Sequence, residues 1–222
     1  MALPYAPRAV IFDMDGLIFD TETLYQQAFL EAAALGNYDV PADVVALAIG
    51  TPWVRGRGLM LQNLGEDFPI DVYYSRMRDR FDELSASELK LKPGVIELLD
   101  VLDGLDLPRC IATSSGHETA RDHLSAHGLT HRFHAVIGDG DYADSKPAPE
   151  PYLTAAERLG VPPGFCLALE DSHNGVRSAS AAGMMTIMVP DLVPPTAEIR
   201  GLCVKVVNSL HDVARLIASQ RR

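Results

Sequence analysis

Cysteine and positive charge are scarce in this chain of 222 residues, and each shortage excludes a class of protein. There are three cysteines and one tryptophan, and 19 Lys and Arg stand against 30 Asp and Glu, a net charge of −11. Cys110, Cys166 and Cys203 each sit in a short apolar stretch. An odd number so placed argues against a disulfide framework and reads as buried free thiols in a reducing compartment. The acidic surplus repels nucleic-acid backbones and acidic lipid head groups, and the only basic run is Arg221-Arg222. No uncharged apolar run approaches the ~20 residues that span a bilayer, and the N-terminal segment lacks a basic region followed by an apolar one. The sequence therefore reads as a soluble, cytoplasmic protein with neither nucleic acid nor membrane as partner.

What is present is an ordinary globular composition, 47% hydrophobic and 22% charged. A chain of this length folds as one large domain or as a core with a smaller insertion. Short β-branched or apolar runs alternate with amphipathic stretches, the pattern of an α/β protein whose parallel strands are joined by helices. The expected strands are Ala9 to Phe12, Arg109 to Thr113, His134 to Ile137, Cys166 to Leu169 and Met185 to Val189, with Cys203 to Val207 a weaker sixth. The first two are separated by roughly a hundred residues, far more than one crossover helix needs. That interval reads as all-helical: Thr21 to Leu35 stopped by Gly36, Pro41 to Ile49, Pro52 to Leu64 stopped by Gly65, and Asp67 to Leu84. Lys92-Pro93-Gly94 marks the return to the core, with proline at a helix start.

Four of the first five strands are followed at once by polar residues, and ligands of an open parallel sheet bind at the carboxyl ends of its strands. After the first strand comes Asp13-Met14-Asp15-Gly16. Two carboxylates two residues apart face the same way on an extended backbone. Their repulsion is relieved by a shared hard cation, Mg²⁺ where a phosphate is also bound; an acidic turn closing on glycine has the same appearance. After the second strand, Thr113-Ser114-Ser115-Gly116 offers hydroxyls and free amides to an anion, or simply caps a helix. Lys146, ahead of Pro147-Ala148-Pro149, is either a fixed point charge for a phosphate or a solvated surface residue. Glu170-Asp171-Ser172 abuts the fourth apolar strand, where idle charge is costly; metal ligation or helix capping by Asp171 or Ser172 would account for it.

Taken in order, acid pair, hydroxyl, lysine and acid pair at successive strand ends resemble the haloacid dehalogenase superfamily. Its four motifs match FDMDG at 12 to 16, IATSS at 111 to 115, SKPAP at 145 to 149 and EDSHNG at 170 to 175. Within it the chain is similar to the β-phosphoglucomutase-like phosphatases of small phosphate esters. The resemblance implies a Rossmann-like three-layer core over residues 1–17 and 90–222 and an α-helical cap domain over 18–89. It implies Asp13 as the nucleophile that becomes an aspartyl-phosphate, and Asp15 as the acid and then the base. Thr113 and the Ser114 amide would hold phosphoryl oxygens, and Lys146 would neutralise charge. Mg²⁺ would be held by Asp13, the Asp15 carbonyl and Asp171, with Glu170 close behind. The expected partner is a small phosphorylated metabolite such as a sugar phosphate, handled by a monomer or weak homo-oligomer.

Specificity is expected from the helical segment, with Thr21, Gly50 and Arg55 as candidate contacts. Gly50 to Arg57 is a tight basic and aromatic stretch in an otherwise acidic chain, although a helix start with solvated arginines reads the same way. The β-phosphoglucomutases carry a histidine four residues after the threonine that matches Thr21; Tyr25 stands there in this chain, which weighs against a mutase. Dehalogenation has no use for Asp15, since a halide leaves unaided. A phosphorelay receiver would not explain the helical insertion, and a catalytically silent phosphate-binding regulator would not need Asp13, Asp15, Lys146 and Asp171 all intact. The histidines at 117, 123, 127, 131 and 134 read as a solvated helix face, not a metal cluster.

Overall fold

The computed structural model describes residues 3–48 and 53–220, and the backbone alone at 47–48 and 53–55. Strand β1 (Ala9–Phe12) is Ala-Val-Ile-Phe with every residue fully buried, as a strand covered on both faces must be. It pairs in parallel with β2 (Arg109–Gly116) on one side and β4 (Cys166–Glu170) on the other. With β3 (Ala135–Asp139), β5 (Met185–Met188) and β6 (Lys205–Val206), these strands form one parallel sheet in the order β3-β2-β1-β4-β5-β6. Helices α5 (Val95–Gly104), α6 (His117–Ala126), α7 (Glu150–Leu159), α8 (His173–Ala181), α9 (Ala197–Leu202) and α10 (Leu210–Ser219) accompany it. This is the α/β, Rossmann-like arrangement. On one face, Ala9 and Ile11 pack with Cys110, Ala112, Tyr152 of α7 and Ala179 of α8. Because strand residues alternate, Phe12 points to the other face, where Phe133 meets it edge-on at 5.5 Å.

Strand order reverses between β1 and β4, since the chain winds outward from β1 in one direction and from β4 in the other. That switch point opens a crevice at the carboxyl ends of the two strands. Asp13 follows β1 there, its amide donating to Leu169 O at 2.9 Å, and Glu170 ends β4.

Contacts within the chain divide it into two compact units, Met1–Phe19 with Leu91–Arg222, and Asp20–Lys90. The second is all-helical among its described residues: α1 (Thr21–Gly36), α2 (Ala42–Ala48), α3 (Trp53–Leu64) and α4 (Ile70–Glu88). Its core joins Leu24 and Phe29 of α1 to Tyr73, Met77 and Phe81 of α4. The Tyr73 hydroxyl donates to Phe29 O at 2.8 Å, which satisfies an otherwise costly buried phenol. Tyr25 lies flat on Phe81, ring centroids 3.8 Å apart.

Several boundaries differ from the sequence reading: β3 runs Ala135–Asp139, and β5 and β6 are shorter than expected. The helix expected from Asp67 begins at Ile70, because Phe68 packs into the aromatic cluster and Pro69 precedes the first turn, and it runs past Leu84 to Glu88. Pro93 does not open α5; Gly94 does, with φ 92°, where a Cβ would come under 3.0 Å from the His211 amide nitrogen. Strand β2 continues to Gly116 through a register shift between Ala112 and Gly116. Of the five histidines, His117, His131 and His134 are exposed and His127 is half-buried, but His123 is buried, with Phe19 at 5.5 Å ring to ring. No helix among the described residues is long and apolar enough to cross a membrane.

The three cysteines are free, as expected, and two are buried. Burial pushes the Cys110 thiol up to about 12 and that of Cys166 up to about 11, from an ordinary value of 9.0. A raised folded-state value means that the unfolded chain ionises first. Stability is thus intact below pH 9 and lost as pH climbs toward 12, by up to about 1.4 kcal/mol per pH unit per thiol. Urea unfolding at pH 7.5, 9 and 11 should show this decline, and it should be shallower in Cys110→Ala. An equally steep decline in that variant would trace the loss to other groups.

Candidate active site

At the switch point, charge of both signs is packed out of water. Lys146, in the loop between β3 and α7, places Nζ 2.5 Å from Asp13 Oδ1 and 2.6 Å from Glu170 Oε1. Its side chain is 6% exposed and that of Glu170 is 0% exposed, so this ion triad cannot be screened by solvent. Burial pushes the Asp13 carboxyl well above its ordinary value although Lys146 pulls it down. Burial opposes the Lys146 ammonium too, yet the Asp13 and Glu170 carboxylates outweigh it and hold it above its ordinary value. The lysine stays charged.

Glu170 is fully occupied. Its Oε1 also accepts the Tyr152 hydroxyl at 2.7 Å, while Oε2 accepts the amides of Asp171 and Ser172, both at 3.2 Å, and the Ser172 hydroxyl at 3.1 Å. Ser172 Oγ in turn accepts from the Gly175 amide at 3.1 Å and so caps α8. Capping thus falls to Ser172. A Cβ on Gly175 would overlap the Glu170 carboxyl. Gly175→Ala is therefore expected to destabilise the protein by about 1–3 kcal/mol, the usual range for overpacking. Urea unfolding measures it, and an unchanged midpoint would mean that the first turn of α8 shifts freely.

Asp13, Glu170 and Asp171 present ligand oxygens that all lie within 4.8 Å of one another, and all three residues are buried. Beside them the chain turns at Gly16 with φ +79°, and a Cβ there would come under 3.0 Å from Asp171 Oδ2. The donor set is all oxygen and carries more negative than positive charge, which fits a hard divalent cation such as Mg²⁺. On the other side of the turn, Asp15 Oδ2 accepts the Ser115 hydroxyl at 2.7 Å and the Thr113 hydroxyl at 3.4 Å. Thr113 is buried, Ser115 is half-buried and Ser114 is exposed.

The sequence reading named Asp13, Asp15, Thr113, Ser114, Lys146, Glu170 and Asp171, and all lie at the carboxyl ends of β1, β2 and β4 or in the loop after β3. It left Ser115 between an anion contact and a helix cap and gave it no role at Asp15. No spacing rule shows the register shift against β3 in which Ser115 lies. Thr21 opens α1 in the helical unit and is fully buried. Gly50 and the Arg55 side chain lie outside the described residues. Arg57, the neighbouring candidate, is paired through two nitrogens with Asp71, both at 3.3 Å.

A doubly wound parallel sheet with carboxylates and a buried lysine at its switch point defines a class of phosphohydrolase. The chain belongs to the haloacid dehalogenase-like hydrolase family, which matches it over residues 10–189. It is 33% identical over 186 residues to the fructose-1-phosphate phosphatase YqaB of Escherichia coli (strain K12), covering 81% of this chain and 95% of that one. It is also 31% identical over 180 residues to the phosphorylated carbohydrates phosphatase of Thermotoga maritima, covering 81% and 83%. Among solved structures, CbbY of Rhodobacter sphaeroides in complex with phosphate superposes with a TM-score of 0.76 at 26% identity, covering 93% of this chain and 96% of that one. The protein is a phosphoric monoester hydrolase of the haloacid dehalogenase superfamily.

Proposed function

We propose that the protein is a Mg²⁺-dependent phosphatase of small sugar phosphates or similar metabolites, acting through a phosphoryl group carried on Asp13. The observation that carries this reading is the buried Lys146 held between Asp13 and Glu170. An ammonium fixed there favours the ionised form of the nucleophilic carboxylate against burial and orients it, and balances the charge of an incoming phosphoryl group. Asp13 attacks phosphorus, the ester oxygen departs, and Asp15 gives that oxygen its proton. Asp15 then takes a proton from the water that cleaves the acyl phosphate. The Ser115 and Thr113 hydroxyls support this role, because both converge on Asp15 Oδ2 and leave Oδ1 for the substrate. Thr113 and the Ser114 amide are the proposed holders of the phosphoryl oxygens.

Asp13, the Asp15 carbonyl and Asp171 are the proposed cation ligands. When bound, Mg²⁺ supplies positive charge to the transferring oxygens. Glu170 stands behind them, because five donors already take up both of its oxygens. The helical unit, 18–89 in the sequence reading, would act as a cap that keeps water from the first step and admits it to the second. Tyr25 favours hydrolysis over a mutase: its ring is stacked on Phe81 and offers no imidazole to return the phosphoryl group to a sugar hydroxyl.

Phosphate release from fructose 1-phosphate, hexose 6-phosphates, glycerol 3-phosphate, phosphoglycolate, nucleoside monophosphates and an aryl phosphate tests this reading, with Mg²⁺ and with chelator. Turnover that disappears in chelator is expected, with a sugar phosphate at the head of the ranking. Turnover indifferent to chelator, or isomerisation of a hexose 1-phosphate without release, would overturn it.

A further inference from the structure

We propose that Asp191 is a positioning residue for the cation of this site, its Oδ2 accepting a hydrogen bond from the cation's hydration shell. The inference rests on the Mg²⁺ reading above. The chain leaving β5 runs beside the acid pair, since the Val189 amide donates to Glu170 O at 2.7 Å. Two residues on, Asp191 turns inward, its side chain 12% exposed. Its Oδ1 takes the Lys92 ammonium at 2.7 Å. Lys92 belongs to the same frame as the Asp13–Gly16 turn, for its amide donates to Ile18 O at 2.8 Å and the Gly16 amide donates to Phe19 O at 2.9 Å.

The second oxygen of Asp191 is the telling one. Oδ2 is sealed from solvent and accepts no hydrogen bond among the described residues. A buried carboxylate oxygen without a donor is costly, and such an atom in a native protein points to a water or ion that completes it. Its direction is given by Gly16: a Cβ there would lie 3.5 Å from Asp191 Oδ2 and closer still to Asp171 Oδ2. Two carboxylate oxygens thus approach the same turn at Gly16, Asp171 Oδ2 the nearer. Positive charge, or water polarised by it, is what two such neighbouring oxygens take.

Direct ligation is the weaker alternative, because Asp191 is not among the carboxylates whose oxygens cluster within 4.8 Å. Mg²⁺ keeps several of its waters, and residues that hydrogen-bond such waters set its affinity. Lys92 keeps the added carboxylate from overloading the site with negative charge.

Calorimetric titration of Mg²⁺ into substrate-free wild type, Asp191→Asn, Asp191→Ala, Lys92→Met and Asp171→Asn tests this, each variant first checked by thermal unfolding. The expected result is a loss of Mg²⁺ affinity of about tenfold or more in Asp191→Asn and Asp191→Ala. Asp171→Asn should lose more, and Lys92→Met should bind Mg²⁺ as tightly as wild type or tighter. Wild-type affinity in both Asp191 variants overturns the proposal while leaving the cation reading standing. So does a loss in Lys92→Met equal to that in Asp191→Ala, since the pair would then be a structural anchor. Wild type that takes up no Mg²⁺ overturns the cation reading itself.

Discussion

Asp13→Asn is expected to lower phosphate release by on the order of 10⁴- to 10⁶-fold, the scale of loss when a nucleophile is removed from an intact site. The substitution keeps the shape of the side chain and removes only its charge, so packing under β1 has no reason to change. Lys146 retains Glu170 as a partner at 2.6 Å and is not left alone in the interior. Burial already works against an ionised Asp13, so the neutral amide should leave the melting temperature unchanged or raise it, the usual trade between a strained site and stability. Acid quenching during turnover of a ³²P-labelled substrate should leave label on wild type and none on the variant. Retained turnover in a folded Asp13→Asn would remove the covalent mechanism, and label on the variant would place the phosphoryl group on another residue.

The placement of the site was legible because a parallel sheet is read through its buried strands. Ala9 to Phe12 and Cys166 to Leu169 are continuous apolar runs, and a charged pair directly beyond such a run must face the crevice at the strand's end. That argument needs only chain order and burial, and β1 and β4 do flank the point where strand order reverses. What escaped it is tertiary. Ser115 reaches Asp15 from the stretch of β2 whose register against β3 shifts after Ala112, and a register shift leaves no periodic trace in Ile-Ala-Thr-Ser-Ser-Gly. Tyr152 reads as the buried face of an amphipathic helix; its hydroxyl on Glu170 depends on how α7 lies against the sheet. Asp191 follows Pro190 in a segment without periodicity, so nothing local separates it from a solvated loop acid.

The same contrast explains why the charges here are divided between chemistry and structure. Glu170 spends both oxygens on Lys146, Tyr152 and the first turn of α8, so it sets where the lysine stands and where Asp171 begins. Among the described residues Asp13 accepts one side-chain donor, Lys146, which leaves acceptor capacity for the nucleophilic role proposed for it. A carboxylate held by a single donor is available as a nucleophile, whereas one held by five is a frame.

Lys146→Met should show both sides of that division at once. Methionine fills most of the lysine volume, so the effect is the loss of charge and not a cavity. Two buried carboxylates, Asp13 and Glu170, then face each other without the ammonium that lies 2.5 and 2.6 Å from them. Removing one partner from a buried ion pair costs about 3–5 kcal/mol, and that is the expected drop in urea unfolding in the presence of chelator. Adding Mg²⁺ should return part of it, because a cation held by the proposed ligands Asp13 and Asp171 would replace some of the missing positive charge and would bind only the folded chain. Turnover should nevertheless stay about 10³-fold down even in saturating Mg²⁺, the scale of losing one fixed electrostatic donor at a reacting oxygen. A variant as stable as wild type in chelator would mean that the buried ammonium contributes nothing to folding beside Asp13 and Glu170. One that recovers full turnover with Mg²⁺ would make Lys146 part of the frame alone, and the role given to it at the phosphoryl group would have to pass to another residue.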